Sequence, residues 1–290
     1  RSARHPAQGG GEVRGRKFKN ALMSVLVAAA AVVIIAILVV MIWHIFFSGV
    51  RYLNWDFFPK APAVFGETGG GVFNAIVGSV LITLVASALG TPFGMFAGIY
   101  VAEHEDQRFA SAVRLCADAL QGVPSIVIGI FGYTFLVARF RSYSALSASI
   151  ALAFMFIPTT ARVTEEVLLL VPSSLKEAAY ALGARRSSVV WNVSIKSAAS
   201  GITSGLLTSM ARIAGETAPL LFTAFGSRYI EWNMLRPMSA LPLQIYIDAS
   251  SPYPAQQQQA WSAAFVLILL ILLLQYGIRF VISRVLRVKA

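Results

Sequence analysis

Cysteine is almost absent from this sequence. Cys116 stands alone in 290 residues, which excludes an intrachain disulfide and a cysteine metal cluster. Histidine is nearly as scarce, and neither His44 nor His104 has a metal-ligand companion at suitable spacing. Only 13% of the residues are charged, where a soluble domain carries about a quarter. No G-x-x-x-x-G-K-[ST] phosphate loop occurs, so the chain lacks that nucleotide-binding device. No Ser/His/Asp or Cys/His arrangement points to nucleophilic catalysis, and the chain does not read as an enzyme. Segments of about ten residues with alternating hydropathy, the mark of a transmembrane barrel, are also missing.

Apolar runs dominate what remains. Hydrophobic residues make up 57% of the chain and mean hydropathy is +0.70. Several runs are long enough to cross a bilayer, so the expected fold is all-α and polytopic, with six transmembrane helices. The chain opens on Arg1 instead of Met, as expected of a trimmed N-terminus. Residues 1–20 read as a basic tail, and 21–47 as the first span, too long for a signal-peptide core. An aromatic and Pro/Gly-rich outer loop follows at 48–71. A core of five further helices fills 72–283, with spans expected near 73–101, 119–138, 146–168, 200–225 and 261–282. Residues 102–118 read as a short charged connection, 171–199 as an inner loop, 226–259 as a long outer loop with a polar Gln256–Gln259 run, and 284–290 as a second basic tail.

Six spans place both termini on one side, and Lys/Arg bias assigns that side to the cytoplasm. With the termini inside, inner segments carry 16 Lys/Arg and outer loops 6, with Arg162 and Arg212 left within the spans. The net charge of +11 therefore reads as topology and contact with an anionic lipid bilayer, not as a nucleic-acid surface. Glu103, Glu105 and Asp106 form an acidic cluster on an inner loop.

Residues 172–219 stand out. Ser174 and Glu177 fit a capping box, S-x-x-E. Leu175 to Leu182 are mostly good helix formers, and Gly183 is placed for a left-handed C-cap. The prediction is a short inner helix, marginal alone in water, with Ala178 and Ala179 as a close-packing face. It packs either on its own bundle or on something outside the chain.

Charges recur inside the spans. Arg162 lies three and four residues before Glu165 and Glu166, and Arg212 lies four before Glu216, so each set can share a helix face. Such charges cost at least about 2.5–3.5 kcal/mol at the bilayer centre and normally pair or face a cavity. Mutual pairing accounts for them; so does an anion path, because the planar guanidinium matches a tetrahedral oxyanion. Pro158 and Pro219 each sit about one turn from a charge and remove a helix hydrogen bond, a kink tolerated beside a water cavity. Gly90, Gly94 and Gly98 form a doubled G-x-x-x-G, repeated once at Gly201 and Gly205. That spacing suits close helix approach, either within the bundle or against a partner.

Glu177-Ala178-Ala179 followed by Gly183 resembles the EAA loop of ATP-binding-cassette importer permeases. Lys196 stands where that pattern has proline. The stretches ARIAGETAPLLFTA (211–224), FNAIVGS (73–79), GVPSIVIGIFGY (122–133), PTTARVTEE (158–166) and LPLQIY (241–246) are similar to the phosphate-specific, PstA-type branch of that family. The resemblance implies a type I importer permease fold. It implies a PstC-type permease as partner, a PstB-type ATPase dimer docked through Glu177, Ala178, Ala179 and Gly183, and a PstS-type periplasmic phosphate-binding protein. ATP and Mg would be bound by the ATPase, with no cofactor in this chain. It also implies a bacterial inner-membrane location and a phosphate path along Arg162, Glu165, Glu166, Arg212 and Glu216. Two alternatives stand beside it. One is a permease for sulfate or phosphonate, separable by uptake competition. The other is a self-sufficient secondary transporter, which would move solute without an ATPase.

Overall fold

The computed structural model describes residues 10–62 and 69–287. Two compact units are distinguished, Arg1–Ser48 and Gly49–Ala290. The first is the greater part of helix α1 (Gly10–Arg51), whose long aliphatic run is exposed on every side. A helix apolar all round suits a membrane span. Of the expected basic tail, residues 1–9 lie outside the described residues. Residues 10–20 are helical rather than irregular, since Arg14, Arg16, Lys17 and Lys19 have high helix propensity.

The second unit opens on a single 3-10 turn, Trp55–Phe57, capped by Asn54, whose Oδ1 accepts from the Phe57 N–H at 2.9 Å. Helices α2 (Phe73–Glu103), α3 (Arg108–Gln121) and α4 (Ser125–Gly132) follow. A π-helical turn (Tyr133–Val137) then leads to α5 (Ala138–Phe140). Next come α6 (Ala145–Leu169), α7 (Ser173–Ala181), α8 (Arg186–Val189) and a second π-helical turn (Val190–Ser194). The chain continues through α9 (Ile195–Ala214), α10 (Ala218–Thr223), α11 (Leu241–Ala249) and α12 (Pro254–Arg287). Among the described residues the only β pairing is two isolated bridges.

Four helices are long and apolar enough to cross a membrane: Gly15–Arg51, Phe73–Glu103, Ala145–Leu169 and Pro254–Phe280. The pair α3 with Ser125–Phe140, bent by 96°, makes a fifth if counted as one span. Two expected spans differ in form. The third begins at Ser125, and most of the connection expected at 102–118 is the amphipathic α3. Pro124 accounts for the break, since the residue before a proline is pushed out of the α region. The fifth, expected as 200–225, is two pieces interrupted at 215–217. The outer loop expected at 226–259 contains α11 and the start of α12, and Gln256 is buried against Ser251 instead of forming a solvated face.

Helix α6 is the central strut, packed between α2 and α9. Its contact with α2 is the most extensive in the chain. A Cβ at Gly94 would lie 2.6 Å from Thr160 Cβ, and one at Gly98 would lie 2.4 Å from the Ala161 carbonyl oxygen. The doubled G-x-x-x-G is therefore an internal seam. Gly201 and Gly205 do the same on the opposite side, against Val167 and Val163. Phe156, Leu152, Ile82, Met210 and Ile213 fill the core between these helices. At the other end, Ser79 Oγ accepts from the Leu241 N–H at 2.7 Å and pins α11 to α2.

Candidate functional site

Three groups of residues carry the chemistry. The first is on α6. Arg162 Nε donates to Glu166 Oε1 at 2.8 Å, and Arg162 Nη1 reaches Glu165 Oε2 at 3.3 Å. The expected three- and four-residue pairs are both formed. Sequence reasoning missed the third cation, Arg114 of α3, whose Nε donates to Glu165 Oε1 at 2.7 Å. The Glu165 side chain is 5% exposed, whereas Arg114 and Arg162 are 31% and 38% exposed. One buried carboxylate thus ties α3 to α6 between two arginines. Helix α6 continues through Pro158 without ending.

The second group lies at the C-terminal end of α9. Arg212 and Glu216 do not share a helix face, because α9 ends at Ala214 and Gly215 is its C-cap. Neither side chain makes an ion pair or hydrogen bond among the described residues. Arg212 is exposed and Glu216 half-buried. Pro219 is no mid-helix kink either. It occupies the first turn of α10, where an N–H would lack a helical acceptor in any case. The interruption is Gly215–Thr217, so Arg212 sits at the mouth of a broken helix rather than inside a continuous one.

The third group is α7. The expected capping box is not formed. Pro172 is the N-cap, and its carbonyl accepts from Leu175 N–H at 3.2 Å. Ser174 is thereby drawn into the first helical turn, where its hydroxyl makes no cap bond. The C-terminus is as expected. Gly183 has φ +78°, its N–H donates to the Tyr180 carbonyl at 2.9 Å, and Ala184 N–H donates to Ala179 at 3.1 Å. These two bonds are a Schellman motif. No residue of α7 is buried; Glu177 and Ala178 are exposed and Ala179 half-exposed. Lys176 Nζ reaches Glu103 Oε1 at 2.8 Å, and Arg186 donates to the Glu103 carbonyl. Glu103 is therefore a tether for this loop, while its expected cluster partners Glu105 and Asp106 remain exposed. Lys196 lies in the first turn of α9, reached through the π-helical turn, so the exit stays helical where a proline would interrupt it.

Outside the expected sites, Asp248 of α11 borders a cavity of about 420 Å3 together with Arg228, Gln244 and Gln259. Burial pushes its carboxyl up to about 6, against smaller lowering by the Gln244 hydrogen bond and by Arg228. Among the described residues there is no cluster of three His, Cys, Asp or Glu side chains able to hold a metal.

Residues 90–287 match the family model described as binding-protein-dependent transport system inner membrane component. The chain is 37% identical over 270 residues to the phosphate transport system permease protein PstA of Yersinia pestis, covering 93% of this chain and 92% of that relative. It is 44% identical over 217 residues to the protein of the same name from Xylella fastidiosa strain 9a5c, covering 74% and 76%. Among solved structures, a chain of the inward-facing MetNI methionine ABC transporter superposes with TM-score 0.59 at 20% identity, covering 76% of this chain and 96% of that one. At that identity the likeness is one of fold.

Proposed function

Starting from the fact that the chain belongs to the binding-protein-dependent transport inner membrane components, and within them to the PstA-type phosphate permeases, we propose how its parts divide the work. It is the membrane permease subunit of a phosphate ATP-binding-cassette importer. In this reading six spans cross the bacterial inner membrane with both termini inside, α9 and α10 together forming the fifth. A PstC-type permease completes the pore, a PstS-type binding protein delivers phosphate from outside, and a PstB-type ATPase dimer binds ATP and Mg.

Helix α7 is the handle for that ATPase. A nine-residue helix with no buried residue is marginal without packing. It presents Leu175, Tyr180 and Leu182 outward, which suits insertion into a cleft. Arg212 and Glu216 line the phosphate path. The observation that carries this is the exposed, unpaired state of Arg212 at the α9 break, since an arginine at membrane depth requires water, an anion or a carboxylate. Glu216, close in sequence but released from the helix, can swing to Arg212 when phosphate leaves and keep the site from trapping its cargo. Arg162 serves structure instead, because its Nε and Nη1 already engage Glu166 and Glu165 and its charge is matched by theirs.

The test is a pair of variants in the reconstituted importer. Arg212→Gln should abolish phosphate uptake with assembly and membrane insertion intact. Arg162→Gln should lower assembly and uptake together. Wild-type uptake by Arg212→Gln would overturn the path assignment. Competition by sulfate or phosphonate for uptake would redirect the substrate to another oxyanion.

A further inference from the structure

We propose a phosphate-group pocket in the groove between α9 and α12, on the N-terminal side of Arg212 along α9. Ser200, Ser204, Thr208 and Arg212 recur every four residues and are all exposed, so they run as one polar stripe along α9. Against this stripe α12 sets Gln275 and Arg279, also four apart, just after its wholly apolar stretch 263–274. The two pairs enclose a cavity of about 170 Å3 lined by Ser204, Thr208, Gln275, Tyr276 and Arg279, with Leu207 the one apolar member.

The charge in this groove has no internal answer. Neither α9 nor α12 contains an Asp or Glu, and no acidic residue follows Asp248 in the sequence. Arg279 makes no ion pair or hydrogen bond among the described residues, and neither do the side chains of Gln275, Tyr276 and Ser204. Thr208 Oγ1 donates to the Ser204 carbonyl at 2.9 Å, so its one donor is spent and the hydroxyl donor that remains is that of Ser204. A guanidinium fork, a carboxamide, a phenol and a hydroxyl therefore converge with donors to spare. Polar side chains in membrane segments face a cavity or a ligand. The donor set fits a tetrahedral oxyanion. Two sources supply one: the headgroup of an anionic phospholipid, or phosphate on its way through the subunit. The second source rests on the proposed phosphate path; the first does not.

The experiment uses the assembled importer in nanodiscs, as wild type and as Arg279→Gln. In the lipid arm, phosphatidylglycerol is titrated into phosphatidylcholine discs, and tightly retained phosphatidylglycerol is counted by native mass spectrometry. In the phosphate arm, uptake of inorganic phosphate is followed against concentration in vesicles of phosphatidylcholine alone. The pocket predicts that Arg279→Gln weakens one of the two by about tenfold, the loss of a charge-assisted contact, with assembly unchanged. Reduced lipid retention assigns the headgroup, and a raised half-saturating phosphate concentration assigns the cargo. Unchanged retention together with unchanged uptake overturns the pocket. So does loss of assembly rescued by a compensating charge change on the second permease, which would make Arg279 an intersubunit ion-pair partner. Arg212→Gln is run in parallel. If it transports normally while Arg279→Gln still loses lipid, the path assignment has failed and the pocket has not.

Discussion

Replacing Glu165 by Gln will destabilise this subunit more than any other change of a single charge in α6. Its carboxylate is buried and receives Arg114 at 2.7 Å and Arg162 at 3.3 Å. Unit charges about 4 Å apart attract by about 4 kcal/mol at an effective dielectric near 20. Much of that is spent in desolvating the carboxylate, so the Coulomb figure is not the net effect. Removing one partner from a buried pair costs about 3–5 kcal/mol. The low end applies, about 3 kcal/mol, because both arginines retain some water and Arg162 keeps Glu166. Arg114→Gln should cost about half as much, since Glu165 still holds Arg162. The two changes are not independent, and a double-mutant cycle should return a coupling of about 1.5–3 kcal/mol, the range for hydrogen bonds to charged groups. The measurement is unfolding of the purified complex in lipid discs, with uptake recorded per assembled complex. Arg114→Gln should keep near-normal uptake once assembled. Additivity of the two changes within about 0.5 kcal/mol would refute the reasoning, because distant, independent sites behave that way.

Two glycine substitutions should part company. Gly94→Ala puts a methyl 2.6 Å from Thr160 Cβ and 2.8 Å from the Ile157 carbonyl, so α2 and α6 must separate and assembled complex should fall sharply in detergent extracts. Gly183→Ala meets nothing within 4 Å and carries only the left-handed backbone cost of about 1–2 kcal/mol, so the subunit should assemble, and Gly183→Asn should be better tolerated. Glu177→Ala, in an exposed position without a partner among the described residues, should leave the permease fold unchanged but separate ATP hydrolysis from phosphate uptake in proteoliposomes. Asp248 gives a pH signature. Its folded carboxyl, at about 6 against an ordinary 3.8, binds protons that the unfolded chain has already released. Stability should therefore fall as pH rises from about 4 to 6 and level off above. Asp248→Asn should remove that slope in a melting-temperature series, and an unchanged slope would exclude Asp248 as its source.

The long helices were legible because apolar length is a local property, as in α1, α2, α6 and α12. The Arg162–Glu165–Glu166 pairs were legible for the same reason, since all three residues lie within one turn of one helix. Arg114 was not, because 51 residues separate it from Glu165 and only the packing of α3 on α6 joins them. The same four-residue spacing failed for Arg212 and Glu216, where Gly215 ends the helix between them. That glycine, with Pro219 just beyond, was the available signal against a continuous span. Pro172 likewise outweighed the Ser174–Glu177 pattern by fixing the start of α7 two residues earlier, at Ser173. The glycine seam was visible as spacing, but which helix filled it depended on Val163, Val167 and Thr160 arriving from elsewhere.

Glu103 ends α2, and it is held from two sides by Lys176 and Arg186, one within α7 and one just beyond it. Load applied to the short exposed helix is therefore delivered to the tip of a 31-residue rod. The glycine seam leaves that rod little slack against α6, because Gly90, Gly94 and Gly98 have no room even for a Cβ on that side. A tug on α7 is therefore expected to move α2 and α6 together, as a single lever.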